Sequence, residues 1–174
     1  MALLIAGEAT FFGCLIATYF YLRFNGGEWP PAGIEPPSVA LPLVLAAGLL
    51  ASCVPLLAAD RVARAGLARR AWLLVALAAA IQATCLGIQI ELFSVDLGEF
   101  SPSATAYGSA YFTLLGAHHL HVGIGLLFDA WLLAKLLGGL TAYRLNALRA
   151  VAFYWCFVAL AGVLVVLTQL SPSL

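Results

Sequence analysis

Long apolar stretches alternate with short polar ones along the whole chain. At the helical rise, about 20 apolar residues cover a hydrocarbon core of about 30 Å. The pattern predicts five spans, over approximately 1–24, 41–64, 69–94, 104–137 and 145–171. The first has Glu8 as its only charge before Arg23. It is too long for the apolar region of a signal peptide and lacks a basic start, so it reads as a retained span. It begins almost at Met1, which points to an upstream start or to a chain shortened in evolution. Asn25–Pro42 carries Pro30, Pro31, Pro36, Pro37 and Pro42 and reads as a loop. Trp29 in that loop suits an interfacial anchor. Gly48 and Ser52 in the second span permit close helix approach, and Pro55 is tolerable there if neighbours satisfy the carbonyl it frees. Asp96–Ser103 reads as an acidic turn, and Gly138-Gly139 suits the C-cap of the fourth span.

Composition sharpens this picture. Of 174 residues, 64% are hydrophobic and 9% charged, against about 25% charged in a soluble domain. The expectation is an all-α integral membrane protein, a bundle of five transmembrane helices forming a single membrane domain over residues 1–174. The net charge is zero, so nothing calls for a nucleic-acid partner. Cys14, Cys53, Cys85 and Cys156 fall in different apolar runs with no metal-ligand spacing and read as small buried residues. Arg61, Arg64, Arg69 and Arg70 lie in or beside the second loop, and Lys135, Arg144 and Arg149 around the fourth. These are seven of the eight basic residues, all at one end, which places the N-terminus in the cytoplasm and the C-terminus in the periplasm.

The chemistry is expected where polar groups sit inside spans. An ionisable residue there costs about 2.5–3.5 kcal/mol on insertion scales, so it should face the bundle interior and have a partner. Glu8 reads either as a proton-handling carboxylate or as a structural acid. Asp129 reads as a cytoplasmic-side partner for a base near the interface, and it is the other candidate for proton handling. All three histidines, His118, His119 and His121, fall within four residues of the fourth span. His118 and His121 are three apart and share one helix face, with His119 about 100° away. No other span supplies a histidine, and Met1 is the only methionine, so a haem held between two helices finds no second ligand. A metal finds no further ligand at a recognisable spacing. His118 and His121 are therefore expected to bond across to neighbouring helices. No nucleotide-binding loop, nucleophile elbow or HExxH is present. From the residues alone, three readings stand: a non-catalytic bundle subunit, a proton or solute transporter, and a haem-bearing anchor.

Several stretches together resemble subunit III of the haem-copper terminal oxidases, the cytochrome c and quinol oxidase group, in its five-helix bacterial form. Ala6-Gly7-Glu8-Ala9-Thr10-Phe11-Phe12 is similar to the family's Ser-Glu-x-x-x-Phe, with Glu8 on its buried glutamate. Tyr19–Arg23 and Trp29-Pro30-Pro31-Ala32-Gly33 resemble its first outer loop and the residues before it. Gln89 and Glu91 are similar to its Gln-x-x-Glu, one residue shorter. Tyr107-Gly108-Ser109 and Gly116–Val122 match its Tyr-Gly-Ser and Gly-Phe-His-Gly-Leu-His-Val, with His119 in place of a glycine. Tyr154 and Trp155 match the front of its last-helix motif. Behind them Arg149 replaces an acid, Cys156 a histidine, Ala159 an aspartate and Gly162 a tryptophan.

The resemblance implies a subunit with no redox centre of its own, in a bacterial inner membrane. Haem and copper would belong to partner subunits. Its partners would be oxidase subunit I, the other oxidase subunits and membrane lipids, with phospholipid bound. It would support proton uptake and the stability of the complex. Arg61, Arg64, Arg69, Arg70 and Arg144 would face lipid head groups. The departures in the last span leave room for a subunit-III-like accessory protein of nitric oxide reductase. The topology makes a direct prediction. Alkaline phosphatase fused after Ser103 is expected to be active, and fused after Arg70 inactive; the reverse pattern inverts the orientation.

Overall fold

The computed structural model describes residues 2–172, so Met1, where the first predicted span begins, and residues 173–174 lie outside it. The helices are α1 (Ala2–Asn25), α2 (Ala40–Arg64), α3 (Ala68–Glu99), α4 (Ala106–Leu136) and α5 (Ala142–Leu170). All five are long and apolar enough to cross a membrane, and no strand occurs among the described residues. The second span passes through Pro55 as continuous helix. Thr105 caps α4 by accepting from the Gly108 amide at 3.0 Å, and Thr141 caps α5 by accepting from the Arg144 amide at 3.3 Å. Beyond α4, Gly139 takes a φ of +91°, a left-handed conformation suited to glycine.

One predicted boundary is corrected. The stretch from Asp96 was expected to be a turn, but α3 continues through it to Glu99. At about 1.5 Å per residue its 32 residues outreach the hydrocarbon core, so both acids lie near the helix end. Asp96 there accepts a hydrogen bond from the Tyr111 hydroxyl at 2.7 Å.

Helices α2 to α5 close into a ring, with α2 against α3, α3 against α4, α4 against α5, and α5 back against α2. The diagonal pair α2 and α4 make no contact among the described residues. Because successive spans reverse direction, every neighbour in the ring is antiparallel. Helix α1 lies outside the ring against α4 and α5. It presents one stripe inward, Glu8, Phe12, Leu15, Ile16 and Tyr19, at helical spacing. Phe12 meets Leu114, Ala161 and Val165 at the junction of α1, α4 and α5. At its C-terminal end, Arg23 donates to the Ser171 hydroxyl and to its carbonyl, tying α1 to the end of α5.

Trp29, in the loop after α1, packs onto the bundle. Its ring wedges edge-on between Tyr19 and Tyr107, with centroids 5.3 and 5.2 Å away, and closes the first loop onto the bundle. The cysteines also divide: Cys53 and Cys85 are buried, Cys14 is exposed and Cys156 is half-buried. A cysteine in a span meets lipid as readily as protein, and an apolar run alone does not say which.

Two glycines set how closely α4 and α5 approach. A Cβ on Gly125 would lie 2.6 Å from Trp155 Cζ2, and one on Gly162 would lie 2.6 Å from His118 Cε1. Each large ring sits directly over a glycine of the opposite helix, an exchange of volume that lets the backbones meet. Gly125→Ala should therefore force Trp155 to move and destabilise the bundle by about 1–3 kcal/mol. Gly123→Ala, with nothing within 4 Å of the added carbon, should be neutral or slightly stabilising. Thermal unfolding of the two variants in detergent checks the contrast.

Candidate functional site

The polar groups within the spans form three clusters, strung along α4 because that helix touches α1, α3 and α5. The first joins α4 to α1. His121 places Nδ1 2.7 Å from the Ala117 carbonyl and Nε2 2.9 Å from Glu8 Oε2. A carbonyl only accepts, so Nδ1 carries a proton. Nε2 then accepts from a protonated Glu8 or, with a second proton, donates to the Glu8 carboxylate. Either way one proton lies between the two side chains, and the pair as a whole is neutral. Phe11 and Phe12 flank the imidazole, and the Tyr154 hydroxyl donates to the His121 carbonyl at 2.9 Å. Glu8 is 31% exposed, so the pair opens to the outside of the bundle. The fully interior glutamate expected from the resemblance is thus a half-buried one at the flank of α1, since α1 stands outside the ring.

His118 does not bond as expected. It is 1% exposed, and neither ring nitrogen has a hydrogen-bond partner among the described residues. Its ring lies on Gly162, where α5 offers backbone already engaged in its own helix. Three residues of spacing put His118 and His121 on adjacent faces, but the bundle turns one to α5 and the other to α1.

The second cluster fills the middle of the ring. Ser52 of α2, Gln82 of α3 and Asp129 of α4 are all fully buried. With the Gln82 amide oriented by the acceptors around it, its nitrogen donates to Asp129 Oδ2 at 2.7 Å and to the Ala78 carbonyl at 3.1 Å. Its oxygen faces the Ser52 hydroxyl at 3.0 Å. The chain Ser52–Gln82–Asp129 thereby links the diagonal helices α2 and α4, which do not touch. This corrects the expectation for Asp129: its partner is an amide at the centre of the ring, not a base near the interface. The face of α4 that carries Asp129 points inward, and Lys135 lies elsewhere on the helix.

The third cluster lines a cavity of about 90 Å³ in the half of the bundle next to the first loop, between α2, α3, α4 and α5. Gln89, Asp96, Tyr111, His119 and Gln169 converge on it. Gln169 donates to the Tyr111 carbonyl at 3.2 Å, while Gln89 Oε1 and His119 Nε2 are buried without a partner among the described residues. A polar cavity with such groups is where ordered water belongs. Glu91 does not join it: two residues on from Gln89, it is exposed on the opposite face of α3. Among the described residues, no three His, Cys, Asp or Glu side chains converge as a metal site would.

The arginines expected to face head groups behave unequally. Arg64 pairs with Asp60 at 3.1 Å, and Arg144 donates to the Gly138 and Gly139 carbonyls at 2.5 and 2.8 Å. Arg61, Arg69 and Arg70 are exposed.

The family profile described as Cytochrome c oxidase subunit III matches residues 1–169. The chain belongs to the cytochrome c oxidase subunit III family. It is 32% identical over 165 residues to "Cytochrome c oxidase subunit 3" of Coturnix japonica, covering 91% of this chain and 62% of that protein. With "Probable cytochrome c oxidase subunit 3" of Mycobacterium leprae it shares 32% identity over 158 residues, 88% of this chain and 77% of the relative. With the Dugong dugon protein of the same name it shares 34% over 168 residues, 91% and 62%. The chain thus spans about three fifths of the length of the animal relatives and more of the mycobacterial one. It is a multi-pass membrane protein of this family.

Within the family, the departures in the last helix have a structural counterpart. Ala159 is fully buried in the core, Cys156 packs beside it, and Gly162 receives the His118 ring. Small residues thus seat α5 by close approach. Sequence reasoning missed Ser52 and Gln82 as partners of Asp129, and Asp96, Tyr111, His119 and Gln169 as a set. The one legible signal was a glutamine within an apolar span, since only the ring decides what it meets. Gln82→Leu should strand Asp129 and cost about 1–3 kcal/mol, whereas Gln82→Leu with Asp129→Leu should recover much of that loss. Unfolding of these two variants and of Asp129→Leu alone in detergent, compared as a double-mutant cycle, checks it.

Proposed function

We propose that this chain is a non-catalytic subunit III of a respiratory haem-copper oxidase in a bacterial inner membrane, with its N-terminus cytoplasmic. Oxygen reduction, haem and copper belong to its partner subunits, chiefly subunit I. The observation that carries the reading is the family match along almost the whole chain. The Glu8–His121 pair, open at the flank of α1, supports a role beside a proton-uptake path, because it holds a single shared proton at a surface a partner can reach. Phospholipid is the other ligand.

The chain purified in mild detergent from its own membranes should bring with it a subunit bearing haem and copper. A partner with haem but no copper favours the nitric oxide reductase accessory role. Isolation as a stable monomer that alone drives proton or solute uptake in liposomes favours a transporter. Glu8→Gln keeps a hydrogen-bonding group opposite Nε2 but removes the acidic proton. It should leave assembly intact and slow turnover of the complex or shorten its lifetime. Failed assembly instead makes Glu8 structural.

A further inference from the structure

The polar positions of α3 form a line. Gln82, Gln89 and Asp96 recur every seven residues, close to two helical turns, so all three lie on one face. That face looks into the ring, where Gln82 is fully buried and Gln89 is 8% exposed. The line is closed at Gln82, whose amide is engaged with Asp129, the Ala78 carbonyl and Ser52. Toward Asp96 it borders the polar cavity.

That cavity grades from the surface inward. Ser38, which lines it at the first loop, is exposed, and Asp96 is half-buried. Deeper, Gln89 Oε1 and His119 Nε2 are buried with no hydrogen-bond partner among the described residues. Gln89 and Asp96 are seven residues apart on α3, and Tyr111 and His119 eight apart on α4, so the two tiers stand about 10–12 Å from each other. Leu45, Leu92, Leu115 and Val166 wall the space, and neither tier can reach the other by a direct hydrogen bond. Near the first loop, Asp96 and Tyr111 satisfy each other. Gln89 and His119 need water, and the cavity has the volume of roughly three liquid waters.

Depth makes the need specific. Helix α4 has 31 residues, about 46 Å at the helical rise, and His119 stands about 20 Å in from Ala106. With α4 centred on a core of about 30 Å, His119 lies about 12 Å inside the hydrocarbon boundary. Lipid offers it neither donor nor acceptor there. The ionisable groups of the lining are Asp96 and Tyr111 near the first loop and His119 at the floor; α2 and α5 add none. A carboxylate near the mouth favours cations over anions.

We propose that this cavity is an aqueous half-channel, which admits water and small cations from the first-loop surface as far as His119 and Gln89. His119 thereby exchanges its ring proton with bulk solvent, whereas the adjacent His118 is sealed against Gly162. The half-channel stands on the ring geometry and holds whether or not the chain serves an oxidase.

The test uses silver ion, a small cation that replaces the proton of a thiol. The full chain in phosphatidylcholine nanodiscs is exposed to silver and then to a maleimide. Protection of each cysteine is read peptide by peptide by mass spectrometry, which separates the introduced thiol from the native ones. His119→Cys and Gln89→Cys, one on each helix, should react at least about tenfold faster than Leu120→Cys, which is 63% exposed on the outside of α4. Ser38→Trp, by filling the mouth, should slow both by about tenfold. Val44→Trp, on the exposed side of α2, should leave them unchanged. Rates no faster than that of Leu120→Cys overturn the proposal. So do fast rates that Ser38→Trp leaves unchanged, because silver then arrives by another route. A slow His119→Cys beside a fast Gln89→Cys ends the channel short of His119 and overturns its exchange with solvent.

Discussion

A bilayer core supplies no hydrogen-bond partner, so every polar side chain placed in a span must find one on another helix, in trapped water or at the lipid interface. The bundle is arranged around that demand. Helix α4 carries most of the polar groups and has the neighbours to meet them, reaching Glu8 on α1, Gln82 on α3 and Tyr154 on α5. The chain Ser52–Gln82–Asp129 is its most consequential expression, because it ties together two helices that the packing keeps apart. Apolar burial by itself gives little drive to association in lipid, where tails are as greasy as leucine, so hydrogen bonds and close packing decide the arrangement.

The second constraint is shape. Trp155 over Gly125 and His118 over Gly162 place two rings where glycine leaves room, and Trp29 closes the first-loop end between two tyrosines. These contacts explain how α5 is seated although it lacks the histidine, aspartate and tryptophan of the family pattern. In this chain the large rings lie on α4 and α5 opposite glycines, and close backbone approach seats the helix.

Function follows from where the remaining polarity is left open. The Glu8–His121 pair faces the flank of α1, and the polar cavity lies beneath the first loop. The first fits the proposed proton exchange with a partner, the second ordered water.

Much of this was legible in the residues. Apolar runs of sufficient length specify five spans because a bilayer fixes the length of a helix that crosses it. The Glu8, Gly116–Val122 and Tyr154-Trp155 stretches marked the family. What the sequence could not decide was direction around each helix. It placed Glu8 and Asp129 alike as buried acids, but the ring left Glu8 at its edge and drew Asp129 to its centre. It grouped His118 with His121, and the crossing of α4 over α5 sent one to a glycine and the other to a carboxylate. It joined Gln89 to Glu91, and half a turn of α3 put one in a cavity and the other outside. Spacing along a helix is a local property, whereas a partner is supplied by whichever helix packs opposite, and only the tertiary structure fixes that.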